Sequence, residues 1–147
     1  MKVVVQRCKY GSVSVDNKLI NEVRKGYVLL VGFNVNDTED DLNYIVRKVV
    51  NLRVFDDESG IMNKSIIDAN GEILSISQFT LQANTKEGNR PSYIDAMKGD
   101  KAIELYHLFN EKLNEYVKTY EGVFGADMLV KIDNDGPITI IIDSKNR

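Results

Sequence analysis

The stretch from Glu72 to Leu81 constrains the fold more than any other part of the chain. It follows Asn70-Gly71, a tight-turn pair, and its apolar residues read as a strand. Alternation puts Ile73, Ser75, Ser77, Phe79 and Leu81 on one face, and Leu74, Ile76, Gln78 and Thr80 on the other. Neither face is cleanly wet or cleanly dry, so the strand is expected to be buried on both sides with hydroxyls and one amide set inside. Buried polar groups cost free energy unless they are hydrogen-bonded. At the end of a strand they often face a ligand.

Around this strand the chain alternates between strand and helix patterns. Residues 2–15 read as a long strand, and Asp16-Asn17 as a turn before a short strand near Leu19 to Val23. Tyr27 to Phe33 is continuously apolar, which predicts a central strand. Asp37 or Thr38 can cap a helix whose first turn is acidic and whose apolar stripe is Leu42, Ile45, Val46, Val49 and Val50. Arg53 to Phe55 reads as a short strand, and Ser65 to Asp68 is expected to pair with the Glu72 strand across Asn70-Gly71. A second helix is expected over roughly Lys101 to Lys118, burying Ala102, Leu105, Tyr106, Phe109, Leu113 and Val117. Met128 to Ile132 and Ile138 to Ile142 read as strands either side of a turn at Asn134 to Pro137. These elements predict one α+β domain spanning residues 1–147, mainly antiparallel with two long helices.

Charge and composition narrow the function classes. A formal net charge of -3 argues against a broad nucleic-acid surface, while leaving room for contact with one RNA end. Cys8 is the only cysteine, so no disulfide framework is expected. One Cys and one His do not make the usual metal-ligand set, and neither a metal nor a cofactor is expected. No apolar run approaches membrane-spanning length, and a cytoplasmic location is the natural reading.

The lone His107 would have to serve any serine–histidine–acid triad, but it lies off the apolar stripe of its helix and reads as a partly exposed surface residue. Cys8 reads as a small buried residue. Arg7 reads as a solvent-facing edge residue, with a partner from another subunit as the alternative. Ser77 and Thr80 are candidate nucleophiles without a nearby base, or structural hydroxyls. Gly136-Pro137 is a plain turn or a cis peptide.

Together these residues resemble the D-aminoacyl-tRNA deacylase (D-tyrosyl-tRNA(Tyr) deacylase) family. The similarity is carried by Val5-Gln6-Arg7, Leu52 to Phe55, Ser77-Gln78-Phe79-Thr80-Leu81, Gly88 with Arg90-Pro91-Ser92, Phe124 to Met128, and Asn134 to Thr139. It departs at Asn89, where the family usually has a basic residue, and at Ile138, where it usually has valine. The resemblance implies a barrel-like body with flanking helices and a homodimer with active sites at the subunit interface. It further implies that Ser77, Gln78, Phe79 and Thr80 line the catalytic site, and that Gly136-Pro137 is cis and inserted into the partner's site with Arg7 supporting the loop. The terminal adenosine of an aminoacyl-tRNA would sit near Phe79, Ala102, Phe124 and Met128. On that basis the chain is expected to hydrolyse D-aminoacyl-tRNA, and glycyl-tRNA mischarged on alanine tRNA, while rejecting L-aminoacyl-tRNA. Two rivals stay open: a serine or threonine hydrolase for small esters or amides, and a non-catalytic dimer that binds RNA ends.

Overall fold

A computed structural model describes residues 1–147. Strand β1, Lys2–Val15, runs through the middle of the sheet because both of its edges are occupied. On one edge β3, Gly26–Gly32, pairs with its first half and β2, Lys18–Val23, with its second half, both antiparallel. The other edge is covered along its length by the antiparallel strand β8, Leu129–Asp143. Beyond β3 lie β6, Glu72–Ser77, and then β7, Thr119–Glu121, both in parallel pairings. The short strands β4, Phe55–Asp56, and β5, Met62–Lys64, form a separate hairpin. Asn21 Nδ2 donates to the carbonyl of Glu121 at 2.7 Å, so the far ends of the sheet nearly close it into a barrel.

Each face of this sheet has its own core. Val3, Val5, Tyr27, Leu29, Val31 and Ile73 point to the side covered by α1, Glu39–Asn51, and α2, Gly99–Asn114. Cys8, Val13, Val23, Val28, Leu74 and Ile76 fill the inside of the curl. The double burial expected for the Glu72 strand follows from this arrangement, since both cores need it. All five apolar stripe residues of α1 are buried. No helix is long and apolar enough to cross a membrane.

Several expected boundaries move. The central strand ends at Ser77, and Phe79–Gln82 turns as a 3₁₀ segment rather than continuing to Leu81. Ser65 to Ala69 is a turn and pairs with nothing in the sheet; both neighbours of β6 come from distant parts of the chain. The strand expected at Arg53 to Phe55 begins only at Phe55. The second helix starts at Gly99 and ends at Asn114, so Val117 packs into the core from the segment after it. The last two expected strands are one strand whose register with β1 shifts around Cys8, and the Asn134–Pro137 turn rides on that irregularity as a bulge.

Asp37 is not the cap of α1. Thr38 holds that position, its N–H donating to the Asp41 carboxylate at 2.9 Å. The Asp37 carboxylate instead receives the Met1 ammonium, fully buried, and the N–H of Asn34. Ser144 Oγ accepts a second bond from the same ammonium at 2.8 Å, tying the ends of β1 and β8 to the start of α1. Burial alone would raise the pKa of Asp41, but hydrogen bonds from Lys145, the Thr38 N–H and Ser144 hold it well below the carboxylate range. A depressed folded-state pKa stabilises the fold above the unfolded value, and that stability is lost as the pH falls toward the folded one. Replacing Asp37 with alanine strands a buried ammonium, and should cost about 3–5 kcal/mol in urea denaturation at neutral pH.

Candidate active site

Parallel pairing decides where a site can form. β3 and β6 run together to Val31 and Ser77, and β7 follows β6 to Glu121. Three strands therefore end at one edge of the sheet, and the segments leaving them diverge. Crevices outside the carboxyl ends of parallel strands are the usual place for a ligand. In this protein the crevice is a cavity of about 280 Å³, walled by Val31 and Phe33 from the end of β3 and by the Phe124 to Met128 loop after β7.

Six of the predicted residues line it: Ser77, Gln78, Phe79, Ala102, Phe124 and Met128. Thr80 stands just behind, its hydroxyl accepting a hydrogen bond from Gln78 Nε2. That leaves the Thr80 hydroxyl proton free to point elsewhere. The Gln78 N–H is already donated to the carbonyl of Val31 at 2.7 Å, so it is removed from any cradle of backbone donors. Phe79 and Thr80 open the 3₁₀ segment, where the first N–H groups have no partner within the turn. The ring of Phe79 is 53% exposed, and Tyr93 packs edge-on against it with centroids 5.1 Å apart. An aromatic face held open in this way is a platform on which a base can stack.

The wall behind the cavity is braced from α2. Tyr106 contacts the Phe124 ring at a centroid distance of 5.6 Å and donates its hydroxyl to the carbonyl of Ser75 at 2.7 Å. Burial, with Glu121 nearby, pushes the Tyr106 pKa up to about 12, so it remains a donor at neutral pH. Sequence reasoning missed this brace, and it missed the wall residues Phe33, Met97 and Asp127. Phe33 could have been found by supposing that β3 and β6 are parallel neighbours. Met97 carries no pattern, being brought in by the pairing of Ala96 with Asn34.

The other candidates lie apart. His107 is half exposed, 3.4 Å from Glu121, and does not line the cavity. Cys8 is buried, and burial pushes its thiol up to about 11, which keeps it protonated. Arg7 corrects the edge-strand expectation: it is only 9% exposed, because β1 is flanked on both sides. Its Nη1 donates to the carbonyl of Val54 at 2.6 Å. Its Nε lies 3.2 Å from Asp135, close enough for an ion pair but not aligned for a hydrogen bond. Directly beyond, Gly136 and Pro137 are exposed and joined by a cis peptide. Neither lines the cavity of its own chain.

The family model described as D-Tyr-tRNA(Tyr) deacylase matches residues 4–143. A solved structure described as a c-Myc DNA unwinding element binding protein superposes with a TM-score of 0.93 at 43% identity, over 97% of this chain and 98% of that one. Another, described as a probable eukaryotic D-amino acid tRNA deacylase, superposes with a TM-score of 0.80 over 96% of this chain and 97% of that one; at 17% identity it speaks for the fold.

Removing the Tyr106 hydroxyl leaves the Ser75 carbonyl with the Gly122 N–H, at 3.0 Å, as its one remaining donor. Tyr106→Phe should therefore lose about 0.5–1.5 kcal/mol of stability in chemical denaturation, the net worth of one hydrogen bond.

Proposed function

The chain belongs to the D-Tyr-tRNA(Tyr) deacylase family and is an enzyme of that kind, a hydrolase of aminoacyl-tRNA esters; from this premise we propose how its cavity works. The substrate is D-aminoacyl-tRNA, bound by its acceptor end, and the products are free D-amino acid and tRNA. The observation that carries the reading is the open Phe79 ring at a cavity whose floor is Ser77 and the start of the 3₁₀ turn. The terminal adenosine stacks there, against Phe79 and toward Ala102, Phe124 and Met128. The ester carbonyl then faces the N–H groups of Phe79 and Thr80.

The cavity is lined by no histidine, and Asp127 is its one ionisable side chain; the chemistry does not need a protein nucleophile. Water attacks the ester carbon, passing its proton by way of the ribose 2′-hydroxyl to the departing ribose oxygen. The developing oxyanion takes hydrogen bonds from the turn. Positioning and such a cradle supply most of what an already reactive ester requires. Thr80, oriented by Gln78, positions the substrate and is not acylated.

Handedness is read by Gly136 and Pro137 of a second copy in a homodimer. The loop projects from β8, a strand that also carries the exposed side chains Leu129 and Ile141, at 60% and 71% exposure, which suit burial against another copy. Arg7 supports the loop from below. Main chain set against the α-carbon leaves no volume for an L side chain, and steric exclusion works across varied side chains where attraction would not. Glycine passes such a filter, so glycyl-tRNA mischarged on alanine tRNA is also a substrate. The relative named for DNA binding does not alter this reading, since a formal net charge of -3 leaves no basic excess for a duplex.

Incubation with D-tyrosyl-tRNA and L-tyrosyl-tRNA should release free tyrosine from the D form alone. Equal release from both would sink the chiral reading, and tight binding without release would favour a non-catalytic module. Ser77→Ala and Thr80→Ala should each keep measurable turnover with no covalent ester trapped; outright loss in either would point to a protein nucleophile.

Gly136 has φ of 113°, and an added Cβ would stand 2.8 Å from Ile138 Cγ1. Gly136→Ala should displace the loop and lower the ratio of D to L hydrolysis, read in the same assay.

A further inference from the structure

A second cavity, of about 370 Å³, opens beside Asp135, the residue that precedes the Gly136-Pro137 loop. Four cationic side chains line it, Arg7, Lys9, Arg24 and Lys25, against two carboxylates, Asp56 and Asp135. Both carboxylates are engaged by Arg7, at 3.8 Å and 3.2 Å, and Asp135 also lies 3.9 Å from Lys9. Arg24 and Lys25 are left over. They rest on aromatic rings, Arg24 on Tyr10 at 5.3 Å and Lys25 on Phe55 at 5.8 Å, contacts that hold a cation in place without neutralising it. A local positive excess in a chain of net charge -3 is not a by-product of composition.

Arg7 fixes the floor on which those two cations stand. It is nine-tenths buried at the floor of this cavity, and its Nε has no hydrogen-bond partner. Asp135 and Asp56 already meet its charge, so Arg7 shapes the cavity and leaves the free positive charge to Arg24 and Lys25. The Nη2 of Arg7 stands 3.4 Å from where a Cβ on Gly136 would be, so an anion here would lie against the loop itself. The thiol of Cys8 in the same wall stays neutral and adds no competing charge.

We propose that this cavity is a phosphodiester site for the RNA strand of the substrate, with Arg24 and Lys25 as its contacts and the buried Arg7 as its floor. It rests on the deacylase reading, and deepens it: the copy that lends the Gly136-Pro137 loop to a neighbouring active site also grips the nucleic acid leaving that site.

The test is binding first and kinetics second. An RNA hairpin reproducing the tRNA acceptor end, without amino acid, is titrated by fluorescence anisotropy against the full-length protein and the double variant Arg24→Gln, Lys25→Gln. Both side chains are exposed, and thermal melting checks that the variant remains folded. The dissociation constant should rise roughly tenfold, and its logarithmic salt slope should fall by about 2, one for each cation removed. An unchanged constant and slope would overturn the proposal, whatever the enzyme does. D-tyrosyl-tRNA and D-tyrosyl-adenosine, which lacks any phosphate, are then compared as substrates. The variant should raise KM for the tRNA ester alone with kcat preserved. Equal changes on both esters would mean that the residues act on the amino-acid or adenosine end, and would also overturn it. Failure of the unmodified enzyme to cleave either ester would instead count against the deacylase reading, with the hairpin titration still deciding the phosphate site.

Discussion

The parallel placement of β6 between β3 and β7 is the constraint on which the rest depends. An antiparallel partner on either side would send its chain away from the edge where β6 ends. With both partners parallel, three strands release their chains together, and the sheet cannot close over the gap. β6 also feeds two cores at once, so its register is held from both faces, and a slip by one residue would exchange Ile73 and Leu74 between them. The position of Ser77 at the cavity floor is therefore set by packing on both faces of the sheet.

What was legible in the sequence is what a strand or helix imposes on itself. The α1 stripe, the double burial of the Glu72 strand and the turn at Asn70, where φ is 52°, all follow from local spacing. Partnership across the chain does not. Ser65 to Asp68 lies next to β6 in sequence, which favours a hairpin; the actual partners begin at Gly26 and Thr119. The edge position expected of Arg7 fails for the same reason. Its burial depends on β8, whose pairing with β1 spans almost the whole chain. The break after Ser77 was hidden because Phe79 and Leu81 continue the alternation in sequence while the backbone turns away.

The site residues follow the same division. Ser77 to Phe79 could be read as a motif because they are consecutive. Phe33, Met97 and Tyr106 reach the cavity or its wall from separate elements, and no spacing links them. Gly136-Pro137 is an intermediate case: its chemistry is visible in two letters, but its location on a bulge beside Arg7 needs the shifted β1–β8 register.

On the proposed mechanism, the lack of a nucleophile is what allows a steric filter to work. A strong nucleophile would attack any ester that reached it, and a badly seated L-aminoacyl ester would be cleaved along with the D form. A site that acts by alignment behaves differently. Effective molarities from good alignment reach about 10⁵–10⁸ M, and a displacement of about 1 Å can cost on the order of a hundredfold in rate. Every ångström by which a clash with the loop lifts the carbonyl from the Phe79 and Thr80 N–H groups is thereby converted into lost rate. The filter then needs no contact with the rejected side chain beyond the space it denies.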